Sequence, residues 1–225
     1  MWKDLKVSLY DLFGYFFPGA ILLIAITMTI PWSAKADTWA VLILAAYLAG
    51  HVVQAVANII FPSRRRITAD MKFIPKVIMD AVDDELEVLL FKDSLPAKKP
   101  ELNDTLKSFD KFLLCDTVLA QKGNIENRDI FVYREGFYKG LTVSFAIFFI
   151  GLSYWLPAQE LLIKLGQKPI SFPFHVLVVL QICALAVSIL FFKRYVRFSQ
   201  YKTNEAFYGF LAHMRALDKE GKKAG

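Results

Sequence analysis

The chain has 225 residues and carries 27 Lys or Arg against 21 Asp or Glu, yet 56% of it is hydrophobic and its mean hydropathy is +0.40. A soluble domain is seldom that apolar, and the charge lies in blocks between long apolar runs, so the composition describes a membrane protein with water-exposed parts and disfavours a soluble nucleic-acid-binding domain despite the +6 net charge. Two cysteines, Cys115 and Cys183, and three scattered histidines, His51, His175 and His213, exclude a Cys/His zinc module and a disulfide-stapled scaffold.

Crossing about 30 Å of hydrocarbon at 1.5 Å per residue takes roughly 20 apolar residues. The first run to meet that test covers residues 9–30. Lys3 and Lys6 precede it and Ala34-Lys35-Ala36 follows it in the form of a signal-peptidase site. The run is nevertheless longer than the roughly 7 to 15 residues of a signal core and contains Asp11, so it reads as a retained span. Asp11, near one end, either reaches headgroup water or bonds Tyr10, Tyr15 or a basic neighbour. Gly14, Pro18 and Gly19 are packing or hinge positions, and the Pro18-Gly19 pair predicts a kink.

The second span covers residues 39–61 and carries His51, Gln54 and Asn58 at i, i+3 and i+7, with Tyr47 and Ala55 extending the stripe. An unpaired polar group in hydrocarbon costs several kcal/mol, so this stripe points at other helices, at a subunit partner, or into water. Two readings stand side by side: hydrogen bonding between helices, and a polar path lined by His51, Gln54 and Asn58 in a pore built by several subunits. One chain has too few helices to enclose much water, so the second reading requires a homo-oligomer, most simply a cyclic one.

Residues 62–140 hold fourteen basic and fourteen acidic residues. Arg64, Arg65 and Arg66 stand directly after span 2 as candidate lipid or phosphate ligands. Ile78, Val82, Leu86 and Leu89 recur at helical spacing with Asp80, Asp84 and Glu87 opposite, which predicts an amphipathic helix of about four turns. The carboxylates Asp80, Asp83, Asp84, Glu85 and Glu87 read as a solvated face. Pro96 and Pro100 break that helix. A second opens behind Pro100 with Leu102, Leu106, Phe109 and Leu113 on one stripe and stops near Gly123. A third starts near Asn124 and runs on into span 3, where Gly136, Gly140 and Ser144 recur every four residues, a spacing that allows close helix packing or a bend at the membrane surface.

Span 3 covers residues 141–155 with an amphipathic extension to 163, and span 4 covers 172–192. No Gly or Pro lies between Phe192 and Tyr208, so the last helix continues past the membrane with aromatics and cations interleaved. Tyr195, Phe198 and Tyr201 suit the headgroup layer, where Lys193, Arg194 and Arg197 neutralise anionic lipid. Alternatively Arg194, Arg197 and Lys202 bind a phosphorylated ligand.

With four spans both termini share a side. That side holds 24 basic residues against three, Lys35, Lys164 and Lys168, in the opposite loops, so both termini and the long connection are expected in the cytoplasm of a cell bounded by an inner membrane. The predicted fold is all-α: a hairpin of spans over 1–61, a helical cytoplasmic domain over 62–140, a second hairpin over 141–192 and a basic tail helix over 193–225.

The chain contains no phosphate-binding P-loop, dinucleotide fingerprint, HExxH, GxSxG or Cys-x-x-Cys. Ser153 or Ser188 with His51 or His175 would be an unsupported catalytic pairing. No enzyme activity, cofactor, metal or sequence-specific DNA binding is expected.

The segment YDLFGYFFPG, the Gly50-His51 pair in span 2 and the approach of Arg134 and Lys139 to span 3, taken with the span order, resemble small bacterial four-span membrane proteins of anti-phage defence, the membrane components of Kiwa-type and Hailong-type systems. The resemblance implies an oligomeric membrane effector or sensor that works with a cytosolic protein partner or a nucleotide-derived ligand. The leading expectation is an oligomeric channel or membrane-perturbing effector gated through residues 62–140. The alternative is a non-conducting anchor or sensor that recruits a soluble cytoplasmic partner.

Overall fold

Backbone amides in hydrocarbon must be paired inside the protein, and a helix pairs them within its own segment. The computed structural model describes residues 14–26, 39–91, 107–121, 126–155, 160–165 and 168–224, and most of these are helical. The helices are α1 (Gly14–Ile26), α2 (Trp39–Ile60), α3 (Ser63–Met71), α4 (Lys76–Phe91), α5 (Ser108–Gln121), α6 (Glu126–Trp155) and α7 (Phe174–Ala224). Between α6 and α7 lie strands β1 (Glu160–Leu165) and β2 (Lys168–Pro173).

Among the described residues, three helices are long and apolar enough to cross a membrane, over Ala40–Ile60, Ile130–Tyr154 and Phe174–Lys219. They correspond to the second, third and fourth predicted spans. α1 is the described part of the first apolar run and by itself shorter than a span. It remains helical through Pro18-Gly19. Asp11 lies outside the described residues, as do the break at 95–100, Leu102, Leu106 and Gly123. At 51 residues α7 is roughly 75 Å long, more than twice the thickness of a bilayer core, so its charged second half belongs in water.

One sequence expectation is corrected here. The extension of span 3 to Ile163 is strand, not helix: β1 and β2 pair antiparallel from Glu160↔Pro173 to Leu165↔Lys168. Pro157 disfavours helical geometry in the residue before it, and the short apolar run Leu161-Leu162-Ile163 with its partner Lys168–Pro173 suits a hairpin, so the all-helical pattern carries one small sheet.

The chain divides into two units, one of Met1–Phe61 with Tyr133–Val196 and one of Pro62–Val132 with Arg197–Gly225. Residues 133–140 therefore group with the membrane helices, and the tail helix groups with α3, α4 and α5. Within the first unit, Val53, Ala57 and Val143 form one buried cluster with Leu22 and Ile147 against it, and Leu152, Leu177 and Ala184 form another among Phe145, Phe148 and Phe149. Val41, Leu44, Leu48 and Val52 on α2 and Val179, Ile182 and Ile189 on α7 are exposed, as expected of side chains that meet lipid.

Within the second unit, Ile67, Met71, Ile74, Val82, Leu86, Phe112, Cys115, Phe207 and Phe210 make one core. Val82 and Leu86 face it as the periodicity predicts, whereas Leu89 is exposed. On α5 the buried stripe is Phe112, Cys115 and Leu119, turned one position from the predicted stripe, and Leu113 is exposed. Lys111 and Asp116, which look like surface residues in sequence, are buried, and the Lys111 ammonium bridges both carboxylate oxygens of Asp83 at 2.7 and 2.8 Å. Burial pushes the Cys115 thiol up to about 12, the carboxylates of Asp116 and Asp83 acting in the same direction, its own backbone hydrogen bond and Lys111 against. The thiol stays protonated at neutral pH and belongs to the core, not to chemistry.

Helices α1 and α2 meet backbone to backbone. A methyl group on Gly19 would overlap the Ala46 carbonyl oxygen, and one on Gly50 would overlap the Tyr15 carbonyl oxygen. Gly14 has nothing within 4 Å. Gly50→Ala and Gly19→Ala should each cost at least the roughly 1–3 kcal/mol of an overpacked core, read as a lowered midpoint of thermal unfolding in detergent, while Gly14→Ala should melt with wild type.

Candidate functional site

The polar residues of α2 fall on one side of the helix because i, i+3 and i+7 are neighbours at 3.6 residues per turn. The structure brings two of them to α6. The Gln54 side-chain amide donates to the Gly136 carbonyl at 2.8 Å, and Gly140, one turn further on, leaves the room: a methyl group there would stand 2.7 Å from Gln54 Nε2 and 3.2 Å from Pro18 Cγ. Lys139 Nζ donates to Asn58 Oδ1 at 2.6 Å and to the Phe61 carbonyl at 3.5 Å, with the Tyr195 ring 6.0 Å away. One turn beyond Gly140, Ser144 Oγ donates to the Pro18 carbonyl of α1 at 2.8 Å, and Ser188 Oγ of α7 donates to the Thr142 carbonyl at 3.0 Å.

The four-residue repeat on α6 thus does three different things. Gly136 offers a carbonyl and has no neighbour within 4 Å of where a side chain would start, Gly140 gives close approach, and Ser144 ties α6 to α1.

His51 is held differently. Its ring stacks on Tyr15 of α1 at 3.9 Å between centroids and meets the edge of Tyr47 at 4.9 Å, while the residue as a whole is exposed. Asn58 and Ala55 share that exposed side of α2. Among the described residues no group of three His, Cys, Asp or Glu side chains is placed to hold a metal ion.

The basic residues differ in exposure and partners. Arg64 and Arg65 are exposed, with the Arg64 guanidinium 5.6 Å over the Phe109 ring. Arg66 is committed to Asp70, donating through both Nη2 and Nε, and Ser199 Oγ adds a 2.7 Å bond to the same carboxylate, which is 2% exposed. Lys193 and Arg194 are exposed. Arg197 Nε donates to the Tyr201 hydroxyl at 2.8 Å and its guanidinium covers the Tyr201 ring. Lys202, by contrast, is buried, its ammonium 6.0 Å from the Phe112 ring centre, so it does not stand beside Arg197 on the surface. Tyr195 and Phe198 are likewise buried in protein, which leaves Tyr201 as the exposed aromatic of the expected headgroup set.

Sequence reasoning named Lys139 only for its approach to span 3 and passed over the Arg66-Asp70 pair. Lys139 is a buried cation near the end of the α2–α6 contact, and its only sequence signal is a charge next to an apolar run. The Arg66-Asp70 pair was legible as an i, i+4 pair, whereas nothing in the sequence points Ser199 at it, 129 positions away.

Replacing Gln54 by Leu removes a bond to a carbonyl that α6 already engages, and the expected cost is that of an average interhelical bond in a membrane, about 0.6 and at most about 1.7 kcal/mol. Asn58→Leu takes an acceptor from a buried cation and should cost more. The double variant Asn58→Leu, Lys139→Met should recover part of that loss in the same unfolding assay.

No family model, curated protein or solved structure matches this chain, so its function is argued from the geometry of these contacts.

Proposed function

We propose that this protein is a four-span membrane anchor or sensor whose helical second unit faces the cytoplasm and engages a soluble partner, and that its membrane helices form a closed support and conduct nothing. The observation that carries this reading is the fate of the two amide side chains in the middle and last turns of α2. Gln54 donates to the Gly136 carbonyl of α6, and Asn58 accepts from Lys139 of the same helix. A side chain that lines an aqueous path would hydrogen-bond water and passing ions, and would have no need of a glycine opposite to receive it.

The orientation rests on the bias of 24 basic residues to one side. Helices α6 and α7 each run unbroken from one unit into the other, at residues 132–133 and 196–197. A partner that prefers one arrangement of α3, α4 and α5 can therefore bias the membrane helices by population shift. The anti-phage context rests on the resemblance carried by YDLFGYFFPG, Gly50-His51 and the span order.

The second reading, a conducting homo-oligomer, is favoured by one observation: His51, Ala55 and Asn58 are exposed on a single side of a membrane helix, where a subunit neighbour or water would relieve them.

Ion flux from liposomes containing the purified protein separates the two. The anchor reading predicts a leak equal to that of protein-free liposomes for wild type and for Gln54→Leu, Asn58→Leu alike. A wild-type leak that the double substitution abolishes, with oligomeric state unchanged, would make the protein a channel.

A further inference from the structure

In the second unit the turn between α3 and α4 presents apolar side chains outward that the core has no use for. Phe73 and Val77 are each 76% exposed, the most exposed large hydrophobic residues of that unit. Single exposed apolar residues are ordinary, but an aromatic and a β-branched residue one turn apart at the tip of an ordered turn form a small apolar prong.

The turn is fixed from behind. Ile74, next to Phe73, is buried with Ile67 and Met71 in the core. The backbone amides of Lys72, Phe73 and Ile74 bond the carbonyls of Ala69, Asp70 and Met71 at 3.3, 3.0 and 3.1 Å. Asp70 in turn is clamped by Arg66 and Ser199. Phe73 points outward from this bonded turn while Ile74 beside it is buried.

The charges directly beside the prong are basic. Lys72 and Lys76 flank it, and Arg64 and Arg65 continue the exposed side of α3, against the exposed Asp80 one turn along α4. The chain distance from the turn to a candidate span is also short. Only Phe61 and Pro62 separate α3 from the end of α2, and α3 itself is nine residues, roughly 14 Å.

We propose that the α3–α4 turn is an interfacial membrane anchor, with Phe73 and Val77 inserted at the acyl boundary of an anionic bilayer and Lys72, Lys76, Arg64 and Arg65 on its lipid headgroups. Apolar tips with a basic surround bind such interfaces through burial and electrostatic attraction together. This goes beyond the anchor reading above, because it concerns the water-facing unit and holds whether or not the protein conducts.

The test is the depth of a nitroxide label on the full-length protein in nanodiscs of phosphatidylcholine with phosphatidylglycerol. Phe73→Cys and Val77→Cys are labelled separately in a Cys183→Ala background, where Cys115 is buried, with Asp80→Cys as the water reference. Both tip labels should collide with oxygen several-fold more, relative to a water-soluble nickel chelate, than the label at position 80, and the difference should shrink in phosphatidylcholine alone. Tip labels as accessible to nickel as the reference would overturn the proposal. So would labels shielded from both agents, which would put a second copy or another protein on the turn. Since both positions are largely exposed, either variant can carry the test if the other folds poorly.

Discussion

The membrane unit depends on how closely α1, α2 and α6 can approach one another. Lipid tails are as apolar as leucine, so burying apolar area gives helices little reason to associate in a bilayer, and contact must come from packing and hydrogen bonds. Gly19 and Gly50 remove the side chains that would separate α1 from α2, and Gly140 removes the one that would push Gln54 away from α6. Once the backbones are that close, polar side chains reach across: Ser144 to Pro18 and Gln54 to Gly136. The polar groups in the apolar helices are consequences of the close approach and cannot be assigned a role without it.

The second unit obeys different physics. It is built around one apolar core, and it buries charge beside that core: Asp70 with Arg66 and Ser199, and Lys111 with Asp83. Buried pairs of this kind add little net stability over apolar residues of the same shape, but breaking one leaves a buried charge and is strongly destabilising. Asp70 gains its partners from α3 itself and from α7, so the register of the long tail helix against α3 is fixed by hydrogen bonds as well as by Phe207 and Phe210. The same clamp sets the backbone of the turn that follows α3.

Much of this was legible in the sequence. Long apolar runs with few charges identified α2, the part of α6 from 141 to 155 and the start of α7, and the spacing of Val82 and Leu86 identified α4. The stripe of α5 was read one position off because Lys111 and Asp116 look like surface residues and are buried by their partners. The hairpin at 160–173 was missed because a short apolar run beside a span reads equally well as more helix. At the candidate site, the helical stripe of His51, Gln54 and Asn58 followed from spacing, but which group bonds which did not. Gln54 to Gly136 and Lys139 to Asn58 are contacts across 82 and 81 positions, and periodicity carries no information about partners at that range. Lys202 shows the same limit from the other side: interleaved cations look alike in sequence until the fold turns one inward.

The central claim is that Gln54, in the middle of α2, is closed in by α6 and not open to water. The measurement that tests it most directly is modification of Gln54→Cys, in a Cys183→Ala background in liposomes, by a small charged methanethiosulfonate reagent, with Asp80→Cys as the water-exposed reference. The account predicts rapid modification at position 80 and none at position 54 beyond the unsubstituted background. Modification at position 54 at a comparable rate would place water along α2 and contradict it.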